Sequence, residues 1–183
     1  PKYSYMCVMA IIYAGIMYTS AFSLKALAYY ILAPMLMSAL IIDYKEQIIP
    51  NRLNLTIFEM GLAYTFLEGI VNINVAINML LGMIVGAGIF LLITFIGGLI
   101  AGKEAMGFGD VKLMGALGLF FGWQTIIIIS LFAFLMGAII GVLLIVSKKK
   151  STQDYIPFGP FIVIAAIIAI MNRYHNVQKI CSV

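Results

Sequence analysis

Long apolar runs, separated by short polar breaks, make up most of this sequence. Seven such runs cover about residues 5–22, 26–42, 53–71, 76–100, 108–122, 124–146 and 156–171. Of the 183 residues, 64% are hydrophobic and only 10% are charged, whereas about 25% of the residues of a soluble domain are charged. A soluble domain of this length also keeps too much surface to bury so many apolar side chains. The chain is therefore predicted to be an integral membrane protein.

The apolar runs predict helices, because a membrane interior offers no partners for unpaired backbone groups. The runs do not alternate between polar and apolar residues, as the strands of a membrane barrel would. The predicted fold class is all-α, a polytopic membrane bundle of about six to seven transmembrane helices. The 108–122 run is the shortest, and as a helix it would reach only roughly 22 Å.

The positions of Lys and Arg predict the orientation of the chain. If the loop over residues 43–52 is cytoplasmic and all seven runs cross, eight of the eleven basic residues share that side. They are Lys2, Lys45, Arg52, Lys103, Lys112, Lys148, Lys149 and Lys150. This bias follows the positive-inside rule for membrane proteins.

Asp43 and Asp110 each lie where an apolar run meets the predicted cytoplasmic surface. Acidic residues in membrane segments are functional candidates by default. Two adjacent carboxyl groups share a proton in a low-dielectric site, so one can activate water while the other acts as an acid. A simpler interpretation of Asp110 is a helix N-cap. Gly107 and Gly109 favour a site instead, because they would let an extended substrate backbone approach the acid.

Three stretches, taken together and in order, resemble the type IV prepilin peptidase family, the Gly-x-Gly-Asp membrane aspartic proteases. They are 103–113 with its Gly-Phe-Gly-Asp, 42–53 with Asp43 ahead of a Pro-Asn pair, and Ile-Pro-Phe-Gly-Pro at 156–160. The resemblance covers roughly residues 5–171 and implies that Asp43 and Asp110 are the catalytic pair. It also implies that a second group binds substrate or shapes the site: Pro50, Asn51, Gly107, Phe108, Gly109, Lys112, Pro157 and Gly159.

The resemblance implies a hydrolase that cleaves the basic leader of type IV prepilins or pseudopilins after a glycine, at the cytoplasmic face of the bacterial plasma (inner) membrane. No metal or cofactor is implied, and the expected partners are the prepilin and membrane lipid rather than nucleic acid. Larger relatives carry a cytoplasmic domain with paired Cys-x-x-Cys motifs and methylate the product. Because Cys7 and Cys181 are the only cysteines, we expect one transmembrane peptidase domain over 1–183, without the cysteine-rich domain. The sequence is then either a peptidase-only form or one that lacks an N-terminal part, and the resemblance does not extend to N-methylation.

Two other functions fit parts of the pattern. An archaeal preflagellin peptidase would use the same chemistry. A small proton-coupled transporter could relay protons through Asp43 and Asp110, but it predicts repeats or helices broken at mid-membrane, and both acids lie near one face. Lys112 is expected either to meet lipid phosphate or to tune the site electrostatically.

Gly-x-x-x-Gly pairs occur at residues 82/86, 118/122 and 137/141. Pairs of this kind let two membrane helices approach closely. We expect them to pack helices within one bundle, with a homodimer as the alternative.

Overall fold

The computed structural model describes residues 2–19, 23–101, 106–147 and 157–172. These residues form helices without any strand, so the predicted all-α class is confirmed for the described part of the chain. The helices are α1 (Lys2–Thr19), α2 (Leu24–Glu46), α3 (Asn51–Val71), α4 (Ile73–Ala101), α5 (Phe108–Val146) and α6 (Gly159–Asn172). Of the residues used above, Lys103, Lys148–Lys150, Ile156 and Cys181 lie outside the described residues.

Within the described residues, three segments are long and apolar enough to cross a membrane: Leu24–Glu46, Ile73–Leu99 and Phe108–Leu144. Two shorter apolar helices cover Tyr5–Tyr18 and Gly159–Met171. Many large apolar side chains also point outwards, as expected for helices that face lipid; Leu131, for example, is 67% exposed. These features are those of a membrane protein, and the count of six to seven crossings stays a prediction.

The chain reverses direction within α5, at Gly122. This residue has φ 74° and ψ 170°, which is not a helical conformation. A side chain on Gly86 of α4 would contact both the carbonyl oxygen of Met114 and Cγ1 of Ile126, at 2.6 and 3.0 Å. Since residues on both sides of Gly122 meet the same turn of α4, α5 consists of two antiparallel arms. The first arm covers 108–121 and the second covers 123–146, close to the two separate runs that the sequence predicts.

The reversal is held by the side chain of Asn78 on α4. Its Oδ1 accepts a hydrogen bond from the backbone N–H of Trp123, at 3.1 Å, where the second arm begins. That N–H is one of the donors that a helix start leaves without an intrahelical partner. Asn78 therefore caps the second arm from a neighbouring helix.

Gly122→Ala should lower the stability of the protein markedly. The φ and ψ of Gly122 lie in a region essentially restricted to glycine, where a residue with a Cβ is strained by on the order of 1–3 kcal/mol. The new Cβ would also lie 2.6 Å from Oδ1 of Asn78. We expect a lower apparent midpoint of thermal unfolding in detergent. Gly88→Ala is the control, because no atom lies within 4 Å of a Cβ built there. Equal midpoints for the two variants would contradict this account of the reversal.

The glycine pairs at 82/86 and 118/122 pack against each other inside the bundle. A side chain on Gly82 would overlap the carbonyl oxygen of Gly118, and one on Gly118 would overlap the backbone of Gly82. The prediction of close helix packing within one bundle is confirmed for these two pairs. Their faces are buried, so neither is free to meet a second copy of the chain.

Four chain segments meet at one end of the bundle. The end of α2 touches the start of α6 through Asp43 and Gly159, and the start of α3 touches the start of α5 through Asn54 and Gly109. Near the opposite end of the bundle, α3 and α5 contact each other through stacked rings: the ring centroids of Tyr64 and Phe120 lie 5.9 Å apart. The candidate site lies at the first of these two ends.

Candidate active site

Asp43 lies in the last turn of α2, with only 2% of its surface exposed. The helix continues to Glu46 and is closed by Gln47, which has φ 57° and donates its N–H to the carbonyl oxygen of Asp43 at 2.9 Å. The apolar run ends at residue 42, but the helix continues for four more residues. The carboxyl group of Asp43 therefore lies within the final turn of the helix. Its Oδ2 accepts a hydrogen bond from the backbone N–H of Gly159, at 2.8 Å.

Asp110 lies in the first turn of α5 and is also 2% exposed. Its N–H donates to the carbonyl oxygen of Gly107, at 3.1 Å. Because α5 begins at Phe108, Asp110 is its third residue, and the simpler N-cap interpretation does not fit. Its Oδ1 is buried without a hydrogen-bond partner in the described part of the chain. Such orphaned groups are rare in folded proteins and call for an explanation.

The two aspartates line the same cavity. It measures about 140 Å³, and its other lining residues are Gln47, Ile48, Ile49, Gly107, Phe108 and Gly109. The carboxyl groups are close enough to interact electrostatically, and the cavity has room for water, whose share of liquid volume is about 30 Å³. Among the residues that the structure describes, no three His, Cys, Asp or Glu side chains cluster as metal ligands would.

Gly109 has a different neighbour from the one expected. A Cβ on Gly109 would lie 3.1 Å from Cβ of Ile49, so the loop between α2 and α3 already fills this space. The missing side chain lets that loop pack against the start of α5, and Gly109 still lines the cavity. Gly107 and Phe108 also line the cavity, and Phe108 is 58% exposed.

Asn54 is a site residue that the sequence analysis did not single out. Its Nδ2 donates to the carbonyl oxygen of Gly109, at 2.9 Å. The side chain is only 3% exposed, although it lies in the first turn of an apolar helix. A buried amide is retained at little cost only where it is hydrogen-bonded, so a polar residue here was the available signal. Asn54 links α3 directly to the residue before Asp110.

Asn51 and Lys112 lie next to the cavity but not in it. Lys112 donates from Nζ to Oδ1 of Asn51, at 2.8 Å. Both line a larger groove of about 670 Å³ between α3, α4 and the first arm of α5, whose walls include Phe58, Met83 and Ile84. Because neither aspartate lines this apolar groove, the smaller cavity is the candidate reaction centre. Pro50, the N-cap of α3, accepts hydrogen bonds from Leu53 and Asn54 through its carbonyl oxygen.

Phe158 anchors the segment that brings Gly159 to Asp43. Its ring lies 5.1 Å from the ring of Phe134 and 5.9 Å from that of Phe90, between centroids. Gly137 makes room for this ring, since a Cβ there would lie 2.6 Å from it. Pro157 precedes the anchor and is half-buried. Aromatic packing of this kind fixes the start of α6, and so the position of the N–H that Asp43 accepts.

This chain is similar in sequence to a known protein family and to several known proteins. A model of the type IV leader peptidase family matches residues 30–142, a range that includes both aspartates. The chain is 34% identical to a prepilin leader peptidase/N-methyltransferase of Aeromonas hydrophila over 145 residues, which are 79% of this chain and 49% of that protein. It is 34% identical to the protein of that name from Legionella pneumophila over 134 residues, 73% of this chain and 46% of the relative.

A third such relative, from Pseudomonas aeruginosa, is 32% identical over 136 residues, 74% of this chain and 46% of that protein. The chain thus spans about half the length of these relatives. No solved structure matches it.

Proposed function

Since this chain belongs to the type IV leader peptidase family, we propose that it is a membrane-embedded aspartic endopeptidase. Its substrates are type IV prepilins or pilin-like proteins such as pseudopilins, from which it removes the basic leader after a glycine. The observation that carries the proposal is the single cavity shared by Asp43 and Asp110. They are the only acidic residues buried in the described part of the chain.

In the proposed reaction, the ionised aspartate removes a proton from a water molecule held between the two carboxyl groups. The oxygen of that water bonds to the scissile carbonyl carbon, while the protonated aspartate polarises the carbonyl oxygen. The peptide C–N bond then breaks as the leaving amine takes up a proton from the pair. Asp43 is held for this role by its hydrogen bond from Gly159. All of this chemistry needs two carboxyl groups and water, without a metal or cofactor.

We propose that each arm of α5 crosses the membrane, which gives seven crossings with the other five helices. The cavity would then face the cytoplasm from the plasma (inner) membrane of a bacterium. Three exposed basic residues support this orientation, since Lys45, Arg52 and Lys112 lie near the ends of the helices that form the cavity. A cluster of positive charge marks the cytoplasmic side of a membrane protein.

Only the peptidase step is proposed for residues 1–183, which we treat as one transmembrane domain. The names of the relatives also include an N-methyltransferase activity, which we do not propose for this chain. Lipid and prepilin are the proposed partners. A homodimer stays a prediction. The glycine pairs 82/86 and 118/122 already pack against each other, so the 137/141 pair is the one that could serve a dimer contact.

The test is a cleavage assay with the purified chain reconstituted in liposomes. The substrate is a synthetic prepilin segment with a basic leader, a glycine, and an apolar helix that begins with Phe. We expect one cut, immediately after the glycine, which mass spectrometry of both products would locate. A matched substrate with Val in place of that glycine should be cut far more slowly.

A folded protein that leaves the glycine substrate intact would contradict the proposal. Proton flux in the same liposomes, lost in the Asp43→Asn and Asp110→Asn variants, would then support the transporter interpretation. Cleavage at sites scattered along the substrate would contradict leader specificity.

A further inference from the structure

We infer that Asn54 is a positioning residue that holds Asp110 in the geometry for reaction; this inference rests on the proposed peptidase activity. Oδ1 of Asp110 is buried without a hydrogen-bond partner in the described part of the chain, so no hydrogen bond fixes this oxygen. Its position therefore depends on the backbone that carries it. That backbone is attached to α3 by the hydrogen bond from Nδ2 of Asn54 to the carbonyl oxygen of Gly109, at 2.9 Å.

The attachment falls one residue before the acid and joins elements that are 55 positions apart in sequence. Ile49 also packs closely against this residue, since a Cβ built on Gly109 would lie 3.1 Å from Cβ of Ile49. Asn54 and Ile49 thus hold Gly109 between two different segments. A shift of this residue would carry Asp110 away from Asp43 within a cavity of only about 140 Å³.

Asn54 also keeps an unpaired group that a purely structural residue would not need. Its Oδ1 is buried without a hydrogen-bond partner among the described residues. Burying an unsatisfied polar atom is destabilising, and an apolar side chain of similar size would avoid it. An amide retained at this position therefore contributes through its donor, which is the atom that reaches Gly109.

The test compares Asn54→Leu with wild type in the cleavage assay. Leucine is close to asparagine in size but has no donor for Gly109. We expect kcat to fall by about tenfold or more, as for the loss of one buried hydrogen bond, with KM within about twofold. The midpoint of thermal unfolding should change little, because the unpaired oxygen of Asn54 is removed while the carbonyl oxygen of Gly109 loses its donor. Thr56→Val is the matched control: Thr56 is an exposed residue of the same helix, bonded only within it, to the carbonyl oxygen of Arg52.

Asn54→Asp provides a second test should the leucine variant fail to fold. A protonated carboxyl group can donate to Gly109, whereas an ionised one cannot. We expect the kcat of Asn54→Asp, relative to wild type, to rise as the pH is lowered. The same ratio for Asn54→Leu should stay flat, since Asp43, Asp110 and Lys112 are present in both variants.

A spin label at position 108, with both cysteines replaced by serine, gives a measurement that does not depend on activity. Asn54→Leu should increase the mobility of this label, and Thr56→Val should not. Wild-type kcat in Asn54→Leu, or a change confined to KM, would overturn the inference while leaving the proposed function in place. A wild-type protein that cleaves no prepilin would instead count against the proposed function. In that case, a label whose mobility is the same with and without Asn54→Leu would count separately against the positioning role.

Discussion

Replacing either Asp43 or Asp110 with asparagine should lower the kcat for leader cleavage by roughly 10³-fold or more. Asparagine has nearly the same shape as aspartate, but it can neither take a proton from water nor supply one to the leaving amine. The double variant should be little worse than either single variant, because residues that act as a unit have strongly non-additive effects. The measurement is kcat and KM for the same prepilin segment in the same liposomes.

Glu59→Gln is the matched control for these variants. It makes the same chemical change on α3, at an exposed position outside the cavity, and should leave kcat unchanged. Thermal unfolding of all the variants would separate a catalytic effect from a folding defect. If cleavage at a rate near that of wild type persisted after one of the substitutions, that aspartate would not belong to the pair.

The aspartates could be found from the sequence because their signals are local. An acid at the end of an apolar run stands out by itself, and Asp110 follows two glycines spaced one residue apart. Helix direction does the rest: when successive helices cross in opposite directions, the end of α2 and the start of α5 reach the same side. The division of α5 at Gly122 was also predictable, because the apolar pattern is interrupted there by Gly-Trp-Gln.

The contacts that hold the aspartates could not be read in the same way. Gly159 donates to Asp43 across 116 positions, and Asn54 donates to the carbonyl of Gly109 across 55. No periodicity or spacing predicts which helix ends will touch at that resolution. The glycine beside Asp110 shows the limit well, because a missing side chain indicates a close approach without saying of what. In the structure the neighbour is Ile49 of the same chain.

Gly159→Ala should lower kcat by about 10²-fold, although the substitution keeps the backbone N–H that donates to Asp43. A Cβ on Gly159 would lie 2.6 Å from Oδ2 of Asp43 and 2.9 Å from Cγ. Alanine suits a helical backbone and keeps the N–H, so the added methyl group acts chiefly by pushing the carboxyl group away. A displacement of about 1 Å is enough for a loss of this size when reacting groups must be aligned.

Gly88→Ala tests whether the effect belongs to that contact, since it makes the same change in α4 where a Cβ meets nothing within 4 Å. There alanine should leave kcat unchanged and raise stability slightly, because glycine is less favourable than alanine inside a helix by roughly 0.5–1 kcal/mol. A Gly159→Ala protein that unfolds at the wild-type midpoint and has lost activity would place the defect at Asp43. Full activity in that variant would mean that the start of α6 can move aside, and that the hydrogen bond from Gly159 does not fix the carboxyl group during the reaction.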